Sequence, residues 1–543
     1  MLRKCFSVVS ALIMSALLLG ACQPEIVEEV KEVPVEQKVE VEKVVEVPAE
    51  AERSEFVFSW EGYAAGFDPL QANDSYYDIA VLNLYSALVQ YPGGSTVWEY
   101  DLAESIETSD DGLAYTVKLR EDVLFHDGTG LTSDDVKYTV DRLLGLGTGV
   151  AGAFGALTGA EVVDDYTVIL VVSEPFPAMM NFLPRLYIAN ADLLKANEVD
   201  GDWGEQWLSE NEAGSGPYML TSFQPGQEFV MDKFDDYFKG WDGDHVDRAI
   251  GRTIKEETTR RLALEAGEID FMLIGSADVY AELEGVEGIV THSDKTLNQQ
   301  YIGFNTQSEY LSDVRIRKAL ALAYDYEGHV DIRKGHTTIA RGPLPPDIPC
   351  FDESILASKT DLDEAKSLMA EAGYPDGGFT LTMAYPDDRP EELLAFQLMH
   401  AGAAELGITV ESRVAGWTAK AEMMSSLDTA ADMANLWVFP AAPDPLDFIT
   451  LLADSDLAGS DCCNFAWYQS DEMDAASRAG AIETDPAKRC EYYEEAQRIW
   501  MEDGAYANIG IMHTLAAHSD NVVGYKTSQG HTEVVIAYEI SKK

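Results

Sequence analysis

Residues 301–326, YIGFNTQSEYLSDVRIRKALALAYDY, change hydrophobic period within one stretch, and that change constrains how the rest of the chain can be divided. Tyr301, Ile302 and Phe304 open it as a short apolar strand, and residues 305–313 are rich in turn formers. Val314, Ile316, Ala319, Leu320 and Ala323 then recur near helical spacing, with Asp313 where an N-cap belongs. Arg315, Arg317 and Lys318 gather here in a chain that is otherwise strongly acidic. A strand that leaves through a polar crossover into a new helix predicts a passage between domains, at or beside residues 307–312.

The chain's 543 residues leave room for two or three domains, each with its own core. A formal net charge of −57 repels nucleic acid and anionic lipid headgroups, which argues against a role on DNA, RNA or a bilayer face. Residues 1–21 read as a signal peptide: Arg3 and Lys4 are basic, 8–19 are apolar, and Gly20-Ala21 is a small-residue cleavage site. The apolar run is too short for a comfortable membrane-spanning helix. Leu19-Gly20-Ala21-Cys22 resembles a bacterial lipobox, which implies acylation of Cys22 and anchoring to the membrane by lipid. From there to residue 55 valine and glutamate alternate with little to bury, as expected of a disordered acidic tether (22–55 with the lipidated cysteine).

Four further cysteines remain: Cys350, Cys462, Cys463 and Cys490. Outside the cytoplasm an even set suggests one or two disulfides. The adjacent Cys462 and Cys463 bond each other with difficulty, which favours pairings with Cys350 and Cys490, and the connectivity stays open. No CxxC spacing points to zinc, and no metal is expected.

The folded part mixes strands and helices throughout. Residues 56–60 read as a first strand, and 104–108 with 115–120 as a hairpin turning at Asp110-Asp111-Gly112. Thr132 or Ser133 can cap a helix bearing Val136, Val140, Leu143 and Leu144. Residues 161–172 form a second strand pair, and 219–223 with 229–233 a third across Pro225-Gly226. Strand 379–384, helix 390–405, strand 408–413 and a further strand at 436–439 predict a parallel sheet with helical crossovers. Residues 487–501 are the last long helix.

Five segments, in order, are each similar to a signature of one family: LFHDGTGLTSDDVKYTVDRLL, GSGPYMLTSFQPGQEF, LEAGEIDFM, YIGFNTQSEYLSDVRIRKALALAYD and ARGPLPPDIP. Together, behind a lipobox, they resemble the family 5 extracellular solute-binding proteins, the oligopeptide- and dipeptide-binding lipoproteins of ABC importers. The resemblance implies an α/β, two-lobed periplasmic-binding-protein-like clamp with an extra subdomain in the first lobe. Lobe I would comprise 56–69, 213–309 and 506–543, its extension 70–212, and lobe II 310–505. A peptide or other small solute would be enclosed between the lobes and delivered to a membrane permease and its ATPase, with no cofactor and as a monomer.

Candidate ligand contacts follow from the same resemblance. Dipeptide binders carry, three residues after a tryptophan matching Trp437, an aspartate that holds the peptide ammonium; here that position is Pro440. The anchor is missing unless Asp444 or Asp447 reaches in, and Asp444-Pro445 reads better as a cap for the next helix. Arg389, in Asp388-Arg389-Pro390, matches an arginine that clamps the peptide carboxylate, a bidentate task suited to a guanidinium. Glu61, Gly62 and Tyr63 match the first-lobe side of the cleft. Trp417, Trp437 and Phe439 are candidate aromatic walls, while His126 reads as a structural turn residue.

A secreted hydrolase is the rival class. The chain has no HExxH, no G-x-S-x-G elbow and no P-loop, and its nine histidines are scattered. Within the same fold, Pro440 favours a solute without a free ammonium, such as an oligosaccharide, and Arg389 favours an anion. A metal chelate, haem or an opine is a further variant of cargo, and signalling through a chemoreceptor a variant of output.

Overall fold

The computed structural model describes residues 53–543 apart from 63, 72–74, 387–388, 460–461 and 532–533. The expected signal peptide, the lipidated Cys22 and the tether up to residue 52 lie outside the described residues, as do Tyr63 and Asp388. The described fold opens before residue 55, where the expected tether was to end. Ser54 N donates to Asp247 Oδ2 at 2.9 Å, and Glu55 already opens the first strand, Glu55–Trp60.

An eleven-stranded sheet runs through the molecule. On one side Thr409–Val414, Thr380–Tyr385 and Met433–Val438 lie parallel, with helix Pro390–Glu405 crossing between the first two in sequence. This is the β-α-β arrangement that the alternating periods predict. On the other side Phe271–Ile274, Glu55–Trp60 and Arg248–Thr253 are parallel, and Glu228–Lys233 and Tyr218–Gln224 continue antiparallel to the edge. Side chains two apart on a strand share a face, so Phe56, Phe58 and Trp60 form one ladder at ring separations of 5.7 and 6.1 Å. All three are buried against Phe229 and Phe271 in the first lobe's core.

Two long antiparallel strands, Ile289–Phe304 and Tyr506–Ser519, join the sides. In its first half Ile289–Phe304 pairs only with Tyr506–Ser519, whose other edge holds Phe271–Ile274. From Gln299 onward it also pairs with Met433–Val438 of the parallel half. The register slips between Lys295 and Gln299 and again between Gln300 and Tyr301. The change of neighbours therefore comes before Tyr301, whereas the sequence pattern places the passage at 307–312. Residues 306 and 308, around the start of that stretch, already belong with the second half: Thr306 N donates to Ala466 O at 2.8 Å, and Ser308 Oγ to Asp432 Oδ1 at 2.7 Å. Tyr506–Asn508 pair with residues 301–303, so the start of Tyr506–Ser519 likewise sits in the second half.

A separate four-stranded antiparallel sheet builds the extension: Ala103–Thr108, Ala114–Leu119, Thr167–Val172 and Leu157–Asp164. Helix Ser133–Leu146 packs on it, entered at Thr132, whose N–H donates to Asp135 Oδ2 at 2.9 Å. It ends at Gly147, at φ 63°, a left-handed position where a side chain would add strain. Ala442, from the second half, enters this extension's apolar core.

Cys350 and Cys490 are bonded, tying the loop after the Thr337–Ile339 strand to helix Pro486–Asp503. The pairings expected for Cys462 and Cys463 with these two do not form. Cys490 sits on the face of its helix turned to Cys350.

Candidate functional site

A cavity of about 240 Å³ opens where the long strands change neighbours, and both halves of the sheet contribute to its wall. The first half supplies Trp60, Glu61 and Gly62 at the end of the first strand, helix residues Glu257 and Arg260, and residues 273–276. The second supplies Arg333, Arg389, Pro390, Glu391 and Trp437. Thr296 and Asn298, at the slipped register, and residues 512–515 form the part between them. Thr296 Oγ donates to Met512 O at 2.8 Å and accepts from Asn298 N at 3.0 Å, fixing the irregular backbone.

Each charged group is delivered by an element end. Arg389 stands at the N-cap of helix Pro390–Glu405, held extended at φ −120° ahead of the proline that starts the helix. Its guanidinium carbon lies 5.7 Å from the centre of the Phe439 ring. Glu391, in the first turn, accepts from Arg333 Nη1 at 2.7 Å. Arg333 closes helix Tyr326–Ile332 and also reaches Gly275 O, across the cavity, at 3.4 Å. Opposite, Arg260 donates to Glu61 Oε2 at 3.1 Å and to Ile254 O and Lys255 O at 2.7 and 3.0 Å. Burial lowers the Arg260 pKa against the opposing pull of Glu61. Glu257 accepts from the N–H groups of Gly275 and Ser276 at 2.6 and 3.0 Å. His513 is pushed down to about 4 by burial and then by His336, Lys295 and Arg333, so it is neutral at pH 7.

Of the residues singled out in the sequence, Glu61, Gly62, Arg389 and Trp437 line this one cavity. Phe439 stands behind Arg389 and packs on Trp437, with ring centres 5.5 Å apart. Pro440 is buried and does not line it. Trp417 is elsewhere: it is 48% exposed, with Lys420 Nζ 4.9 Å from its ring and Phe465 at 6.0 Å. Asp444 is fully buried and paired with Arg489 at 2.7 Å, while its Oδ1 caps Leu446 N at 3.0 Å. The capping reading of Asp444 therefore describes its place, and a cavity role does not. Asp447 turns to the backbone N–H groups of Ala441 and Ala442. His126 is structural too, between Glu212 at 2.7 Å and Gly216 O at 3.0 Å.

The sequence reading passed over Trp60, Glu257, Arg260, Asn298, Arg333, Glu391 and His513. Trp60 and Glu391 adjoin residues it had chosen, a usable signal. Arg260 and Arg333 reach the cavity only through the packing of distant helices.

The model of the bacterial extracellular solute-binding proteins, family 5, matches residues 98–459. A probable D,D-dipeptide-binding periplasmic protein of Escherichia coli is 29% identical over 448 residues, covering 81% of this chain and 85% of its own length. Heme-binding protein A of Haemophilus influenzae is 27% identical over 498 residues, covering 87% of this chain and 90% of its own. Among solved structures, an ABC transporter-associated periplasmic binding protein of Helicobacter pylori, in complex with the peptide STSA, superposes with a TM-score of 0.77 at 25% identity. That match covers 90% of this chain and 98% of the other.

Proposed function

The chain belongs to the bacterial extracellular solute-binding proteins, family 5, and from that premise we propose that it captures a peptide or peptide-like solute and delivers it to an ABC permease and its ATPase. The family is one of solute-binding proteins, and its members work outside the cytoplasm. The observation that carries the reading is the cavity's position: it is walled by both halves of the sheet at the point where two continuous strands pass from one to the other. A solute bound there touches both halves at once and so favours whichever arrangement brings them together. At about 240 Å³ the space is below the range of about 300–1,000 Å³ usual for drug-sized ligands, which suits a solute of dipeptide size better than a long peptide.

Arg389, Trp437, Glu61 and Gly62 are proposed as ligand contacts, with Phe439 as a support for Arg389. In this reading the two lobes meet at residues 295–299 and again within Tyr506–Ser519, and 70–212 extends the first. Cys22 is proposed as the acylated residue that holds the protein at the membrane; mass spectrometry of the mature N-terminus would show a diacylglyceryl adduct, lost in Cys22→Ser.

The test of the reading is a thermal-shift screen of the purified full-length protein against small peptides, other small organic acids and oligosaccharides. A ligand that binds only the native state raises the melting temperature, by about 2.7 kcal/mol of stabilisation at a hundredfold excess over Kd. Shifts from peptides or peptide-like acids support it. Shifts from oligosaccharides alone keep the transport role and replace the cargo, and turnover of any library member would point to an enzyme.

A further inference from the structure

We propose that the crossing of the two long strands is fastened by two histidine pairs, one on each face of the ladder, and that acid loosens it. Of the chain's nine histidines, His292, His336, His513 and His518 meet here. Residues 292 and 293 are neighbours on one strand and so face opposite sides of the sheet. His518 stands opposite Val290 and therefore shares a face with His292. His513 stands opposite Lys295, the last pairing before the register slips, and shares the other face with Ser293. On the first face the two rings meet Nε2 to Nε2 at 2.9 Å. On the second, Ser293 Oγ lies 2.7 Å from His336 Nδ1 and 3.2 Å from His513 Nδ1, while His513 Nε2 is 3.1 Å from Thr338 Oγ1.

The geometry limits how many protons each pair holds. His518 Nδ1 faces Ser519 O at 2.8 Å, and a carbonyl only accepts, so that nitrogen carries hydrogen. In the neutral pair His518 Nε2 is therefore bare and accepts from His292 Nε2. One added proton is absorbed, because His292 can shift its own hydrogen to Nδ1, which lies 3.9 Å from Asp294 Oδ2. A second sets N–H against N–H and parts the rings. Asp294 gives limited relief, since its Oδ2 already accepts from Thr527 Oγ1 at 2.6 Å. Lys543 opposes charge on His518, and the Tyr525 ring, 5.0 and 6.0 Å from the two imidazoles, covers the pair. On the other face, two charged imidazoles would share one hydroxyl beside Lys295, Arg333 and Lys334. Glu284 and Asp294 are the carboxylates acting against them, and the Tyr280 ring lies 4.4 Å from His336. Burial is the largest cause holding all four below the ordinary histidine value, His513 at about 4. A histidine whose pKa is lower folded than unfolded lends stability that is complete above about 6.5 and is lost as pH falls toward the folded value. His513 lines the cavity, so the loosening reaches its wall.

Two measurements on the full-length protein without solute test the proposal. In the imidazole nitrogen spectrum of protein labelled at histidine, at about pH 7.5, His518 should be the Nδ1–H tautomer and His292 the Nε2–H tautomer. His336 and His513 should titrate below an exposed histidine. Amide exchange gives the mechanical readout. Between about pH 7.5 and about pH 4.5 the protection factors over 290–295 and 513–518 should fall about tenfold further than those over 380–385 and 409–414. In His292→Gln/His513→Gln, whose amides still hydrogen-bond and take no charge, that excess should shrink to about twofold or less. The opposite tautomers, His336 and His513 titrating as exposed histidines do, an even loss of protection across the sheet, or an undiminished excess in the double variant would each overturn the proposal. The first, second and third of these are read on the unaltered chain and so stand whether or not the double variant folds. Failure here leaves the solute-binding reading untouched, because no solute enters the experiment.

Discussion

Within a few residues of each other, the exit of strand Met433–Val438 forms both a closed polar site and an open one. In the closed site, the turn around Asp444, every oxygen of that carboxylate is used: Oδ1 accepts from Arg489 at 2.7 Å and Leu446 N at 3.0 Å, and Oδ2 from Asn181 at 3.1 Å. In the open site, the cavity beside Trp437, two arginines keep an unused N–H, and Glu61, 57% exposed, holds Arg260 at 3.1 Å. The chemistry of the two sites is alike, arginine against carboxylate. Saturation separates them: a buried charge with all its valences filled fixes the fold, and one with valences to spare keeps capacity that, in the proposed function, a solute would use.

The sharpest way to break this contrast is Asp444→Ala. It leaves the Arg489 guanidinium buried without its counter-charge, so the unfolding free energy should fall by about 3–5 kcal/mol in a urea melt, while the affinity of the folded fraction stays within about twofold. A stable variant that had lost its ligand would reverse the assignment of the two sites. Cys490→Ser attacks the same helix covalently. The bridge to Cys350 closes a loop of 140 residues in sequence, and its loss should cost about 2–4 kcal/mol, read in the same melt.

Asp447 offers a probe by pH. Withdrawal from water pushes its carboxyl up to about 6, against the backbone N–H groups of Ala442 and Ala441. A carboxyl whose pKa is higher in the folded state binds its proton more tightly there, so its contribution to stability is greatest at acidic pH and falls as pH rises from about 4 to about 6. The fall should be about 1–3 kcal/mol, at ~1.4 kcal/mol per pKa unit, and Asp447→Asn should flatten it in melts taken across that range. On the open side the effect on stability is smallest. Arg389→Ala should change the melt by less than about 1 kcal/mol yet weaken solute binding tenfold or more, about 1.4 kcal/mol, by calorimetry.

What could be read from the sequence follows from how locally each feature is encoded. The alternation of strand, helix and strand over 380–414 is written in hydrophobic periods, and the helix starts at Thr132, Asp313 and Pro390 in single residue types. The sheet's crossing point has no such mark. Ile289–Phe304 remains a single strand while its neighbours change, so the apolar run at 301–304 signals the second half's buried core and not the passage into it. The same limit applies to the cavity. Glu61 and Arg389 stand beside recognisable strand and helix ends, whereas Arg260 and Arg333 meet the cavity only once distant segments have packed. Trp417 shows the opposite error: an aromatic that suggests a wall spends its ring on Lys420 and solvent.

The slipped register at Lys295–Gln299 also has a mechanical consequence. The long strands are laced to each other on either side of it, so a turn of one half against the other cannot part them and must twist them. Twist gathers where the lacing is thinnest, and that place carries Thr296 and Asn298, which line the cavity. The cavity wall and the torsion are thereby concentrated on the same few peptide units. Amide exchange at residues 296–298 should slow on solute binding before any change is seen in the flanking ladder, making this short segment the molecule's own strain gauge.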